Sequence, residues 1–204
     1  MRLAVRGSRG LEYVTEVSDD LRDQAEILLR LIASKEPEAN DSGARVRLDW
    51  GIVKLVRRGS EVLVEEPDYR RDPLRFIRGL TFTCAVLRAQ QRVHDRLKVA
   101  AEPVGYDELV LVYLEGLSAA RVAATRQASE RPGDTGWRVF AANRIDWGAQ
   151  FGARRVYDVP RERPGLMAVL SLPVGWSVRL EGDTLTEAAT PKGERVVVGM
   201  ALEV

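Results

Sequence analysis

The side chains that could do chemistry are few and scattered. His94 is the only histidine among the 204 residues, so a metal site built on several histidines is excluded. Beside Asp95 on a helical stretch it has the neighbour a general base would use, but a lone histidine there reads as a helix-surface residue. Cys84 is the only cysteine and falls on the apolar stripe of the same stretch. It reads as a small buried hydrophobe rather than a nucleophile. It also leaves no internal disulfide, which fits a reducing compartment. Glu65, Glu66 and Asp68 crowd around Pro67. Three acids together suggest acid–base work or a cation, yet around a proline at a strand end they read as a solvated turn. Neither a glycine-rich phosphate loop nor a Gly-x-Ser-x-Gly nucleophile elbow is present. The expectation is no catalytic residue, no cofactor and no metal ligand. An enzyme would have to be a hydrolase working with carboxylates and arginines alone.

The tryptophans say more. Trp50, Trp137 and Trp176 alternate with apolar residues on predicted strands, the pattern of core packing. Trp147 stands apart, between Asp146 and Gly148 in a long connection predicted over residues 143–155. The same connection carries Phe151, Arg144, Arg154 and Arg155. Aromatics supply anchor area at low entropic cost, and Arg and Asp add directional charged contacts around them. Trp147, Asp146, Phe151, Arg144, Arg154 and Arg155 are therefore the expected partner-binding set. The competing expectation is that Trp147 and Phe151 close the core beneath a long loop.

These residues must be positioned by the strand entered through Gly133-Asp134-Thr135-Gly136. Its glycines reach φ > 0 without a Cβ penalty, and Asp134 and Thr135 bond local backbone. Trp137 and Val139 then take one face, Arg138 and Phe140 the other. Upstream, extended pieces are expected around Leu3–Val5 and Tyr13–Val17. A helix is expected from an N-cap at Ser18, with Leu21, Ala25, Leu28 and Ile32 at helical spacing and Ile27, Leu29 and Leu31 widening the stripe. Pro37 and the Asn40-Asp41-Ser42-Gly43 cluster end it. Val46, Leu48, Trp50 and Ile52 alternate along one predicted strand, which turns at residues 57–60 into Val62-Leu63-Val64 and breaks at residues 65–69. Residues 72–79 read as a turn or short helical piece, 81–98 as a second long helix and 109–114 as a buried strand. Val122 and Ala124 suggest another strand, and Pro164 opens a short helix through Leu170. Strands close the chain at residues 176–180 and 196–198. The predicted fold class is α+β, mostly antiparallel sheet with two long helices and one short helix packed on it. The predicted organisation is one domain over residues 1–204, with a helix–hairpin–helix part (1–105) and a mostly β part (106–204) as subdomains.

Composition excludes several function classes. The 31 basic residues nearly cancel the 30 acidic ones, and neither half of the chain departs far from balance, so no global field draws nucleic acid or anionic lipid. Arginine outnumbers lysine, but the arginines are scattered and matched by acids. No apolar run reaches the length of a membrane helix, and the arginines at positions 2, 6 and 9 are not followed by the apolar segment of a secretory signal. The expected location is cytoplasmic.

One set of short motifs goes further. It comprises Trp50-Gly51, Glu66-Pro67-Asp68-Tyr69, Ala89-Gln90-Gln91, Gly133-Asp134-Thr135-Gly136-Trp137, Arg163-Pro164 and Leu172-Pro173-Val174-Gly175. In this order, residues 46–180 resemble the immunity-protein family numbered thirty-three of bacterial polymorphic toxin systems, formerly a domain of unknown function. Thr135 departs from the serine usual in that family's turn, and residues 1–17 and 190–204 have no counterpart in it. The resemblance implies a single immunity-type domain that binds a cognate toxin protein and silences it by occlusion, without catalytic residues. A non-catalytic regulatory or interaction module and a carboxylate-based hydrolase are the alternatives.

Overall fold

The computed structural model describes residues 1–7, 9–35, 43–48, 50–113, 115–143 and 151–204. The chain divides into two compact units, Met1–Arg88 and Ala89–Val204.

The first unit holds strands β1 (Arg2–Arg6), β2 (Glu12–Glu16), β3 (Arg45–Arg47), β4 (Ile52–Arg58), β5 (Glu61–Asp68) and β6 (Asp72–Arg78). Their order is β1-β2-β5-β4-β3, with β6 beside the far end of β5, and β2 runs parallel to β5. Alternation along these strands sends Leu3, Tyr13, Val46, Val53, Leu55, Val62 and Val64 to one face. There they meet Ala25, Leu28, Leu29 and Ile32 of helix α1 (Arg22–Ser34), and Cys84 at the start of helix α2 (Thr81–Leu97). Each Val, Leu or Ile so removed from water contributes about 1.5–3 kcal/mol. The α1 stripe is narrower than its sequence suggests, since Ile27 and Leu31 are exposed. Ser18 makes no capping bond, because a 3-10 turn over Asp19–Leu21 precedes the helix. The cluster from Pro37 to Ser42 lies outside the described residues.

The second unit holds a seven-stranded sheet in the order β10-β7-β9-β8-β11-β12-β13. Its strands are β7 (Leu109–Tyr113), β8 (Arg121–Arg126), β9 (Asp134–Ala141), β10 (Phe151–Arg155), β11 (Ser177–Glu181), β12 (Thr184–Ala189) and β13 (Arg195–Ala201). All neighbours are antiparallel except β7 and β9. Helix α3 (Val159–Glu162) and a 3-10 turn (Pro164–Ala168) lie between β10 and β11.

This overturns the expected fold class. The protein is mostly β: strands make up 42% and helix 24%, with thirteen strands in two sheets among the described residues, rather than two long helices and a short one on one sheet. The missing sheet came from segments whose chemistry hides alternation. β6 carries Pro73 and Arg75 because it is an edge, where a lost N–H and a charge are tolerated. The pattern from Val46 to Ile52 is split between β3 and β4 by a turn closed by Leu48 N–H donating to the Gly51 carbonyl at 3.0 Å. β5 also runs on through Pro67, which pairs with Phe76 instead of breaking the strand.

Glu66 corrects the solvated-turn reading as well. It is buried, and its carboxylate accepts the backbone N–H groups of Phe82 at 3.0 Å and Thr83 at 2.7 Å. A side chain from β5 thus caps the exposed donors at the start of α2. Burial pushes its carboxyl up to about 7, and the donors of α2 pull only part of the way back.

Candidate partner-binding site

Residues 163–172 run through the interior of the second unit as a 3-10 turn and irregular backbone, and Leu166, Met167, Val169, Leu170 and Leu172 are fully buried. Such backbone has carbonyls that no sheet ladder satisfies, so side chains must supply the donors. Gln90 donates to the Met167 carbonyl and the Trp137 indole to the Leu170 carbonyl, both at 2.9 Å. Arg126 donates to the carbonyls of Leu172 and Glu102 at 2.6 Å and of Thr135 at 3.1 Å. The Arg163 guanidinium reaches the carbonyls of Leu117 (3.0 Å), Gly182 (2.9 Å) and Ala119. His94 sits between the Ser171 hydroxyl at 2.9 Å and the Val99 carbonyl at 3.1 Å. It is buried, so the helix-surface reading of His94 is corrected.

The turn ahead of β9 is built to aim Trp137 at this segment. The Thr135 hydroxyl donates to the Leu109 carbonyl at 2.8 Å and accepts the Trp137 N–H at 3.2 Å. Asp134 accepts the Gly136 N–H at 2.9 Å and pairs with Arg138 at 3.1 Å. Burial alone would raise the Asp134 pKa, but these partners outweigh it and hold it low. Gly136 has φ +81°, and a Cβ there would lie 1.9 Å from the Gln127 carbonyl oxygen, so only glycine fits.

With Trp137 and its neighbours turned inward, the opposite face of the sheet is left to other residues. Directly opposed residues share a face, so the pairings Phe151–Tyr113, Phe140–Ala123, Ala123–Arg179, Arg179–Glu187 and Glu187–Val197 lie on it. Carrying the β7–β9 register one residue past Val112–Val139 sets Tyr113 beside Phe140. An aromatic group therefore occupies the β10–β7–β9 end, with the Phe151 and Tyr113 rings 5.6 Å apart and Phe151 56% exposed. Toward β13 the face dips into a hollow of about 480 Å³ over Ala123, Thr125, Ser177 and Ala189. Glu187 borders it, between Arg179 at 3.8 Å and Arg195 at 3.7 Å.

Of the expected partner-binding set, Arg144, Asp146 and Trp147 lie outside the described residues. Phe151, Arg154 and Arg155 belong to the edge strand β10 rather than to a loop, and all three are exposed. Phe151 and Arg154 line one hollow of about 270 Å³ with Gly116, Leu117 and Glu162. Arg154 pairs with Glu162 at 3.2 Å, and Arg155 donates to the Asp107 carbonyl. Sequence reading missed Tyr113, Phe140, Arg179 and Glu187 as members of this face. The alternation that set Phe140 opposite Trp137 held the clue, but the apolar run from Leu109 concealed Tyr113.

Among the described residues no cluster of three or more His, Cys, Asp or Glu is placed to hold a metal ion, and no helix is long and apolar enough to cross a membrane. No curated protein and no solved structure matches the chain. The matched family model is that of the Imm33-like domain, over residues 89–190. Trp50-Gly51 and Glu66–Tyr69 lie before that span, whereas Gln90, Trp137, Arg163 and the Leu172–Gly175 turn lie inside it. The match takes in half of the chain, and the chain belongs to the Imm33-like domain family.

Proposed function

We propose that this chain is an immunity protein that binds a cognate toxin protein and neutralises it by occlusion in the cytoplasm. The observation that carries the reading is the Imm33-like match over residues 89–190, which points to an immunity-type function and to a family that is typically non-catalytic. The chemistry of the second unit is in keeping with it. Its buried Arg126, Arg163 and His94 are engaged with backbone carbonyls and a hydroxyl, and on the outward sheet face Phe151 is exposed beside the half-buried Tyr113, with Phe140 buried. The toxin would be met at the β10 edge by Phe151 and Arg155 on that face and by Arg154 on the other face of the same strand, with Arg144, Asp146 and Trp147 as further candidate contacts. A central aromatic ringed by charged groups is the composition of an interface hot spot.

The test is co-expression with a toxin domain encoded beside this chain's gene. The toxin alone should arrest growth of a host cell, and this chain should restore growth and co-purify with the toxin in a fixed ratio. Continued arrest with no complex formed would contradict the reading.

A further inference from the structure

The edges of the two sheets are guarded very differently. An edge strand presents unpaired backbone N–H and C=O groups, and proteins blunt that row with charge, proline or short length. β10 ends in Arg154 and Arg155, β1 carries Arg2 and Arg6, and β6 carries Pro73, Arg75 and Arg78. β3 has only 3 residues, two of them arginine. β13 has 7 residues, and after Arg195 it reads Val196-Val197-Val198-Gly199-Met200-Ala201, without charge or proline. Val197 on this edge is 80% exposed.

The ladder with β12 fixes which backbone groups are free for a partner. The Thr190 N–H donates to the Glu194 carbonyl just before the strand, and the Leu202 N–H to the Asp183 carbonyl just after it. Residues 194 and 202 therefore turn toward β12, and Arg195, Val197 and Ala201 turn their N–H and C=O groups outward. Exposure alternates in the same phase from Arg195 to Ala201. A bulge with Gly199 at φ +59° interrupts the pairing between Leu185 and Glu187 but leaves that alternation in step.

We propose that β13 pairs antiparallel with β13 of a second copy of this chain, joining two sheets edge to edge about a two-fold axis. The strand supplies its own complement. With the axis at Gly199, Val197 of each copy lies opposite Ala201 of the other, and Arg195 opposite Glu203, so opposite charges meet at both ends and no like charges meet in the middle. Glu203 is largely exposed, with Arg92 at 3.5 Å within its own chain. β10 carries two arginines and no acid, so the same symmetric pairing through it would set no opposite charges against each other. β13 is the opposite edge of the sheet from β10, so this contact is separate from the toxin surface proposed at the β10 end.

Sedimentation of the full chain over a rising concentration series tests the proposal. The 22.7 kDa chain should convert to a species of twice that mass. Val197→Lys puts a charge into the outward row, and Val197→Pro deletes one outward N–H while leaving the ladder to β12 intact. Either change should raise the dimer dissociation constant about tenfold or more, with circular dichroism reporting a folded chain. A wild-type chain that stays monomeric at every concentration would overturn the proposal and leave the edge to a strand of a different protein. A dimer undiminished in folded Val197→Lys would overturn it equally, because the contact would then lie elsewhere.

Discussion

Burial decides the chemistry of Glu66 and Cys84. The Cys84 thiol is pushed up to about 12 by burial, with the Glu66 carboxylate adding to the shift, so it carries no thiolate at neutral pH. Cys84→Ala should leave partner binding unchanged and cost only modest packing stability, which a binding assay and a melting curve on the same protein would check. For Glu66 the ordinary value is 4.5 and the folded value about 7. Between those values the folded state holds a proton that the unfolded chain has released, so stability is greatest at the acid end and falls as pH rises through the folded value. The loss should be about 3 kcal/mol between pH 4.5 and about 7. Urea melts across that window should find the loss in the wild type and a flatter profile in Glu66→Gln; an equally steep profile in the variant would assign the effect to another group. Residue type was legible from sequence at Cys84 and misleading at Glu66 and His94. Both polar side chains read as solvent-facing because the sequence does not reveal the backbone donors and acceptors that distant segments bring to them.

At the scale of elements, the irregular run from Arg163 to Leu172 organises the second unit as much as the sheet does. Gln90, Arg126 and Trp137 converge on its carbonyls from α2, β8 and β9. That convergence gives the motifs around Gln90 and Trp137 a physical reason: they hold one buried, non-ladder segment in place. Trp137→Ala removes a fully buried ring and orphans the Leu170 carbonyl, so it should cost about 3–5 kcal/mol. A soluble Trp137→Ala protein with an unchanged melting temperature would contradict this account. The glycine turn and the inward direction of Trp137 were legible, because φ > 0 and strand alternation are local properties. The strands β6, β10 and β12 were not, since edge positions and bulges permit proline, glycine and charge in place of alternating apolar residues. Arg126 and Arg163 were invisible for a related reason. An arginine that serves buried carbonyls looks in sequence like any other arginine.

For the whole molecule, half the chain carries the family match, and the unit Met1–Arg88 before it has a sheet and core of its own. The match points to an immunity-type role for residues 89–190, and the proposed toxin surface is the outward sheet face of that unit. Of the residues in this proposal, Phe151, Arg154 and Arg155 could be named as candidates from sequence, whereas Tyr113 and Phe140 share the face of Phe151 only through strand register. The most direct test measures affinity for the adjacent toxin domain and melting temperature together on Phe151→Ala. Because Phe151 is 56% exposed, the account predicts weaker binding by about 2 kcal/mol, roughly 30-fold, with the melting temperature scarcely moved. Wild-type affinity in the folded Phe151→Ala protein would contradict it and move the toxin-binding surface away from the β10 end of the sheet.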